Sequence, residues 1–244
     1  MIRVVVTRPP LQSARLIRLL DEAGYEPLVM PLLDIVALPV PDESWAAFAS
    51  ADVVVVTSPT GAHHLVERLT ESGRRHPAVA RVAAVGRETR TVLENAGVAV
   101  DVTPVRATGA ALSDALAASG VDGARVVLAR AREGRAELAT GLRAAGAEVV
   151  EFPLYTSVAA SPDPLQVAMA RTAEAWTVTS PKIVDAAGDV VGADVLRSAT
   201  VVSIGPTTSA HARGLGVDVA AEAADQSAAG IVAALIEVRP PRGG

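Results

Sequence analysis

Short runs of β-branched residues alternate along the chain with longer alanine- and leucine-rich stretches of helical periodicity. This alternation is typical of a parallel β-sheet covered by helices, so it predicts an α/β fold. The ten predicted strands cover residues 3–7, 26–30, 52–57, 81–85, 98–102, 125–129, 147–152, 175–179, 200–204 and 217–220. Predicted helices between them include residues 11–23, 60–72, 88–96, 109–119, 133–145 and 207–215.

The pattern occurs twice in the chain. The first strand, RVVVTR, recurs as RVVLAR 122 residues later, and GYEPLVMPLL recurs as GAEVVEFPLY at the same offset. The Thr-Ser-Pro motifs that contain Ser58 and Ser180 also keep this offset, whereas Gly86 and Gly205, which end VAAVG and VVSIG, are 119 residues apart. A repeat of this kind predicts two copies of one five-stranded α/β unit.

Each copy contains a proline-bounded extended stretch after its second strand, at residues 31–41 and 153–164. Both stretches exceed the ~2–6 residues that usually connect strands and helices. They are either a pair of surface loops or two crossings between domains that form a two-stranded hinge. The pattern of residues leaves both interpretations open.

Composition excludes several classes of function. The 244 residues are 50% hydrophobic, which is enough for one large domain or two smaller ones. With no cysteine, the chain has no disulfide, thiolate nucleophile or Cys-type metal site, and Lys182 is its only candidate for Schiff-base chemistry. A net charge of −5 and only two Trp, two Tyr and two Phe argue against nucleic-acid binding, and no apolar run is long enough to span a membrane.

Common cofactor and metal motifs are missing from the sequence. No Gly-rich dinucleotide motif, P-loop or Gly-x-Ser-x-Gly elbow is found, and no pair of histidines has i,i+4 spacing. The adjacent His63 and His64 predict a solvated helix face. The start, MIRVVV, runs directly into a strand without a signal-peptide pattern, so a cytoplasmic protein is expected.

Small residues mark the predicted helix starts that follow several strands. Ser58 and Ser180 each precede a proline, and Gly205 precedes Pro-Thr-Thr, which includes Thr207 and Thr208. Such a start leaves backbone N–H groups free to bind carboxylate or phosphate at the ligand edge of a parallel sheet. One cap of this kind often serves stability alone, but its repetition in both copies favours a polyanionic ligand.

Four arginines lie near the ends of the first strand of each copy. Arg8 and Arg130 occupy equivalent positions in the repeat, and Arg132 and Arg135 follow Arg130. Structural salt bridges explain some of these arginines. At Arg8 and Arg130 the position at the ligand edge favours contacts with ligand carboxylates.

The ordered set of motifs resembles the uroporphyrinogen-III synthase family over nearly the whole chain. The motifs that carry the resemblance are VTRP at 6–9, VVVVTSPTGA at 53–62, VAAVG followed by Thr89, PLY at 153–155, VTSP at 178–181 and IGPTTSAHARGLGV at 204–217. The resemblance implies two similar flavodoxin-like domains, each with a five-stranded parallel sheet and flanking helices, that exchange their first βαβ units. One domain is expected at residues 1–33 plus 162–244 and the other at 38–157, joined by a hinge at 34–37 and 158–161.

The resemblance also implies an activity, that of a lyase of heme biosynthesis that dehydrates and cyclises hydroxymethylbilane with inversion of ring D. It implies that Tyr155 of the PLY motif donates a hydrogen bond or proton to the leaving hydroxyl; the alternative is that its ring only packs between the lobes. No cofactor is expected, and the protein is expected to be a monomer, with transient contact to the enzyme that makes hydroxymethylbilane. The predicted substrate-binding residues are Arg8, Ser58, Gly86, Thr108, Arg130, Ser180, Thr207 and Thr208.

Two other functions fit a two-domain, anion-binding chain. A non-catalytic sensor or regulator that binds a tetrapyrrole or another polyanion would be expected to continue into an effector domain. A hinged solute-binding protein would be expected to carry an export signal. Analysis of the product isomers separates the enzyme from both.

Overall fold

A computed structural model describes residues 1–77 and 80–241 of the protein. The chain forms two compact units: the first combines Met1–Asp34 with Val158–Gly244, and the second is Ile35–Ser157. No helix in the described part is both long and apolar enough to cross a membrane. The elements in chain order are β1 (Ile2–Val6), α1 (Pro10–Glu22), β2 (Tyr25–Val29), β3 (Leu33–Ala37), α2 (Asp42–Ala49), β4 (Val53–Val56), α3 (Pro59–Glu71), β5 (Arg81–Ala84), α4 (Arg87–Asn95), α5 (Gly109–Ala118), β6 (Arg125–Ala131), α6 (Ala136–Ala144), β7 (Glu148–Ala159), α7 (Pro164–Ala170), β8 (Ala175–Val178), α8 (Pro181–Val191), α9 (Ala193–Ser198), β9 (Thr200–Ser203), α10 (Pro206–Gly214), β10 (Ala221–Glu222) and α11 (Ala228–Val238).

The first unit contains a five-stranded sheet in the order β10-β9-β8-β1-β2. The pairs β1 with β2, β1 with β8, β8 with β9 and β9 with β10 are all parallel. Apolar clusters cover the two faces: Trp176 and Ile183 belong to one, and Leu16 and Ile231 to the other. Strands that are buried on both faces require the continuous apolar runs seen in the sequence.

The second unit contains a five-stranded sheet in the order β3-β7-β6-β4-β5. Strand β4 pairs in parallel with β5 and β6, and β6 with β7. One face carries an aromatic cluster in which Trp45 packs edge-on against Phe48 and Phe152 at ring-centroid distances of 5.6 and 5.2 Å. This core holds four of the six Trp, Tyr and Phe residues of the chain, Tyr155 among them.

The two proline-bounded stretches are partly strand. Strand β3 lies within residues 31–41, and β7 runs for 12 residues into the stretch that begins at residue 153. The interpretation of these stretches as a pair of surface loops is therefore wrong for residues 33–37 and 153–159, which form strand, and the two-stranded hinge stays a prediction. Leu38 N–H donates to Leu154 O at 2.8 Å, so the second unit orders backbone from both stretches.

Three other predicted elements differ from the structure. The predicted strand 98–102 is reduced to an isolated bridge between Ala83 and Val102. Val82 N–H donates to the side chain of Asp101 at 2.7 Å, and this bond takes the place of a backbone bond in the expected ladder. The predicted strand 217–220 is replaced by β10 farther along the chain, and the predicted helix 133–145 begins only at α6.

Candidate active site

Several predicted site residues lie at the carboxyl edge of the second sheet. Ser58 follows β4, Gly86 follows β5, Arg130 lies near the end of β6 and Tyr155 lies in β7. Carboxyl ends of parallel strands share one edge of a sheet, and ligands of open α/β sheets bind there. Ser58 and Tyr155 are in direct contact.

Ser58 links the start of α3 to Tyr155. Its Oγ accepts a hydrogen bond from Gly61 N–H at 2.9 Å, which makes it the N-cap, and lies 3.0 Å from the Tyr155 hydroxyl oxygen. A Cβ at Gly61 would lie 3.2 Å from Ser58 Oγ, so glycine leaves room for this cap. Either hydroxyl can be the donor in this contact; when Ser58 donates to Tyr155, the phenol proton can be donated outward.

Tyr155 is 7% exposed. Burial raises the pKa of its phenol above the ordinary value; the hydrogen bond from Ser58 lowers the pKa and the negative charge of Glu133 raises it further. The phenol therefore stays protonated at neutral pH, which suits a hydrogen-bond donor or a weak acid and excludes a resident tyrosinate base.

His64 departs from the sequence prediction. His63 is exposed as predicted, but the side chain of His64 is only 17% exposed and its ring stacks on that of Tyr155 at 5.2 Å and 29°. The prediction of a solvated face was wrong for His64 because neighbouring helical residues point about 100° apart, so that one of the two reaches the sheet.

Two more of the predicted substrate-binding residues, Gly86 and Thr108, lie at helix starts in this unit. Gly86 is the N-cap of α4 without a side-chain bond, and a Cβ there would lie 2.9 Å from that of Ala107, so only glycine fits this close approach. Thr108 is the exposed N-cap of α5, and its Oγ1 accepts from Ala111 N–H at 3.2 Å. Both starts leave backbone N–H groups available to an anion.

Arg130 is engaged within the protein. Its Nε and Nη2 donate to the two oxygens of Glu151 at 2.7 and 2.9 Å, and its Nη1 donates to Arg135 O at 2.7 Å. The residue is 8% exposed, and Gly134 lies so close to it that a Cβ there would be 2.7 Å from the Arg130 side chain. This geometry favours the salt-bridge interpretation of Arg130 over a contact with ligand.

The first unit places its predicted residues along the corresponding edge of its own sheet. Arg8 follows β1 and is half-buried, and its carbonyl accepts from Ser13 Oγ at 2.8 Å. Ser180 caps α8 through Ile183 N–H at 3.3 Å. The cap geometry repeats that of Ser58, as the sequence repeat predicts, and no tyrosine contact to Ser180 is found among the described residues.

The turn from Gly205 to Thr208 begins α10. Gly205 is an N-cap without a side-chain bond, Thr207 is exposed, and Thr208 is 3% exposed. The two threonines therefore differ: only Thr207 presents its side chain to solvent.

A buried chain of hydroxyls lies beneath this turn. Ser209 donates to Glu222 Oε2 at 2.5 Å, so the 2.6 Å contact between Ser203 and Ser209 is donated by Ser203. Both serines are 0% exposed. Sequence reasoning missed these residues, although a polar residue at the end of an apolar strand and another on the apolar face of a helix are signals of such a chain.

Within residues 1–77 and 80–241, no group of three or more His, Asp or Glu residues is arranged to hold a metal ion.

Comparison with known proteins gives a family at the level of sequence and a similar fold among solved structures. The family model described as "Uroporphyrinogen-III synthase HemD" matches residues 14–233. "Uroporphyrinogen-III synthase, chloroplastic" from Oryza sativa is 28% identical over 223 residues, which cover 88% of this chain and 73% of the rice protein.

Two solved structures are similar in fold. A uroporphyrinogen-III synthetase from Helicobacter pylori aligns with a TM-score of 0.69 and 16% identity over 98% of this chain and 100% of that one. A mutant uroporphyrinogen III synthase from Thermus thermophilus aligns with a TM-score of 0.63 and 18% identity over 98% of both chains. Because the family model spans most of the chain, this protein belongs to the uroporphyrinogen-III synthase family.

Proposed function

We propose that this protein is a uroporphyrinogen-III synthase, a lyase that converts hydroxymethylbilane to uroporphyrinogen III with loss of water. Membership of the family supports the reaction. The observation that carries the proposal is the contact between Ser58 and Tyr155 at the carboxyl edge of the second sheet, where a protonated phenol lies beside a helix start.

Tyr155 is proposed to assist departure of the hydroxyl group. The phenol hydrogen-bonds to the hydroxymethyl oxygen on ring A and gives it a proton as the C–O bond breaks, so that water departs and an azafulvene cation and the phenolate remain. The substituted carbon of ring D attacks this cation to form a spiro intermediate, which fragments and recloses with ring D inverted. The proton lost on reclosure returns to the phenolate. The raised pKa of Tyr155 supports donation and argues against proton abstraction at neutral pH.

Control of conformation is the larger part of the proposed catalysis. The same cation closes at the free carbon of ring D when no enzyme directs it, which gives the type I isomer. An enzyme that holds the linear chain in one conformation therefore changes the product as well as the rate.

Helix starts are proposed to hold the eight carboxylates of the substrate. Their backbone N–H groups and dipoles favour anions, and the burial of Thr208 supports binding through its backbone more than through its hydroxyl. Arg130 is proposed to act indirectly: Glu151 fixes its guanidinium, and its Nη1 donates to Arg135 O beside the loop that contains Glu133 and Gly134. The residues proposed to contact substrate are Arg8, Ser58, Gly86, Thr108, Ser180, Thr207 and Thr208, and Arg130 is proposed to support them without touching the substrate.

Each unit is proposed to be a flavodoxin-like domain. Numbered within the first unit, the observed strands have the order 2-1-3-4-5, the order of flavodoxin. In the second unit, β6, β7, β4 and β5 take the places of β1, β2, β8 and β9, and β3 adds to the edge beside β7. This permuted order supports exchanged βαβ units, with residues 34–37 and 158–161 as the hinge.

Product analysis tests the proposed function. Purified protein is incubated with hydroxymethylbilane, and the oxidised products are separated as type I and type III isomers, with boiled protein as the control. We expect type III to predominate without added metal or nucleotide. A product mixture identical to the control, with tetrapyrrole binding still measurable, would contradict the synthase and favour a non-catalytic sensor.

A further inference from the structure

Helix α3 contacts Tyr155 at two separate points. Its N-cap, Ser58, is hydrogen-bonded to the phenol oxygen at 3.0 Å, and His64, on the second turn, lies against the face of the phenol ring. The two rings are 29° from parallel with centroids 5.2 Å apart, which is an offset-stacked geometry. One helix thus contacts both the hydroxyl group and the ring.

His64 is itself anchored on the same helix. Its Nδ1 lies 3.3 Å from Glu67 Oε2, one turn farther along α3. The side chain of His64 is 17% exposed and that of Glu67 is 57% exposed, so the carboxylate holds the outer edge of the imidazole while its face packs inward. This arrangement reduces the rotamers available to His64 and presents a fixed surface to Tyr155.

We infer that His64 is a positioning residue for Tyr155. It holds the plane of the phenol so that the hydroxyl stays between Ser58 and the substrate, and it does not touch the reacting atoms. The inference rests on the proposed function, because positioning changes catalysis only if Tyr155 takes part in it. Tyr155 also packs in the core of the second unit, and the imidazole covers one face of its ring and so restricts the plane of the phenol further.

Substitutions at His64 and its neighbour test the inference kinetically. His64→Ala removes the stacked ring, and we expect kcat to fall about two- to tenfold with little change in KM, in line with the usual strength of an aromatic pair. His64→Phe keeps a ring at the same place and should restore most of the lost kcat. His63→Ala is the matched control, because this exposed neighbour lies on the same helix and should leave kcat unchanged.

Titration of the phenol gives a measurement that does not depend on turnover. The chain has only two tyrosines, so in a Tyr25→Phe background the ultraviolet absorbance of tyrosinate reports Tyr155 alone. Burial is the main cause of the raised pKa of Tyr155, and His64 covers one face of its ring. His64→Ala should therefore lower the pKa of Tyr155 toward its ordinary value, and His64→Phe should not.

A double substitution separates positioning from a general loss of packing. In a Tyr155→Phe background, His64→Ala should cause no further fall in kcat, because the hydroxyl that it positions is already gone. An equal fall in both backgrounds would overturn the inference, and so would an unchanged pKa of Tyr155 in His64→Ala. If Tyr155→Phe itself retains full kcat, it is the proposed role of Tyr155 that fails, and the titration still decides whether His64 holds the ring.

Discussion

The Tyr155 hydroxyl oxygen lies 3.0 Å from Ser58 Oγ, although 97 positions separate the two residues in the chain. Ser58 thereby has two tasks: it caps α3 and it holds a buried phenol. Ser180, its counterpart in the repeat, caps α8 in the same way. Because Ser58 also contacts Tyr155, substitutions at the two serines can separate the loss of a helix cap from the loss of the hydrogen bond to the phenol.

Replacing Ser58 with alanine should affect both the fold and the phenol. Loss of the cap should reduce the free energy of unfolding by about 0.5–2 kcal/mol. The hydrogen bond from Ser58 lowers the pKa of Tyr155, so its removal should raise that pKa further. Denaturant unfolding and a tyrosinate titration measure the two effects. Ser180→Ala is the matched control, and a change in the Tyr155 titration in that variant would contradict the assignment.

Tyr155→Phe should reduce kcat more than it raises KM. The substitution keeps the ring and removes the donor, so the loss belongs to the chemical step. We expect less than the ~10²–10⁴-fold loss typical of a positioned acid, because the hydroxymethyl group also leaves readily in water. Steady-state kinetics with product-isomer analysis provide the measurement. An unchanged kcat would leave Tyr155 with a packing role only.

Alkaline pH should destabilise the protein through its two tyrosines. Burial raises the pKa of both Tyr25 and Tyr155 in the folded state. Above about pH 10 an unfolded tyrosine ionises while the folded one keeps its proton, so the free energy of unfolding should fall as pH rises toward the folded pKa. Tyr155→Phe should make this fall shallower. Parallel stability curves for the variant and the unmodified protein would show that the buried phenol does not cause the effect.

Glu151→Gln should destabilise the second unit more than Glu148→Gln. Both carboxylates lie on β7 and pair with arginines of β6, but Arg130 is 9% exposed in its side chain and Arg125 is 38% exposed. Glu151→Gln weakens the partner of the buried guanidinium and should lower the free energy of unfolding by about 1–3 kcal/mol. Glu148→Gln weakens the exposed pair and should lower it by about 0–1 kcal/mol. Urea unfolding of the two variants makes the comparison. Equal losses would contradict the structural role assigned to Arg130.

A fragment of residues 35–157 should fold alone, and residues 1–122 should not. The first fragment contains β4, β5, β6 and β7, whereas the second lacks β6 and β7 for one sheet and β8 and β9 for the other. Circular dichroism and urea unfolding of each fragment test this. Cooperative unfolding of 1–122 together with disorder of 35–157 would contradict the proposed exchange of βαβ units.

Much of the fold could be predicted from residues that are close together in the sequence. Buried strands such as Val53–Val56 and the cap at Ser58 follow from apolar runs and small residues, because side-chain burial and capping act within a few positions. The repeat also predicted that Ser180 would cap a helix as Ser58 does. These features depend on local sterics and on hydrogen bonds to the neighbouring turn.

Contacts between distant residues were decided by tertiary structure alone. The pattern at 98–102 predicts a strand, but the side chain of Asp101 takes the N–H group of Val82 that the ladder needed. His64 follows the pattern of an exposed pair, and only the packing of α3 on the second sheet brings its ring onto Tyr155. Arginine is a residue type expected at an anion site, but the guanidinium of Arg130 is paired with Glu151 on the adjacent strand. In each case the deciding partner is remote in sequence, and short-range periodicity carries no information about which remote group will fill a hydrogen bond or cover a ring.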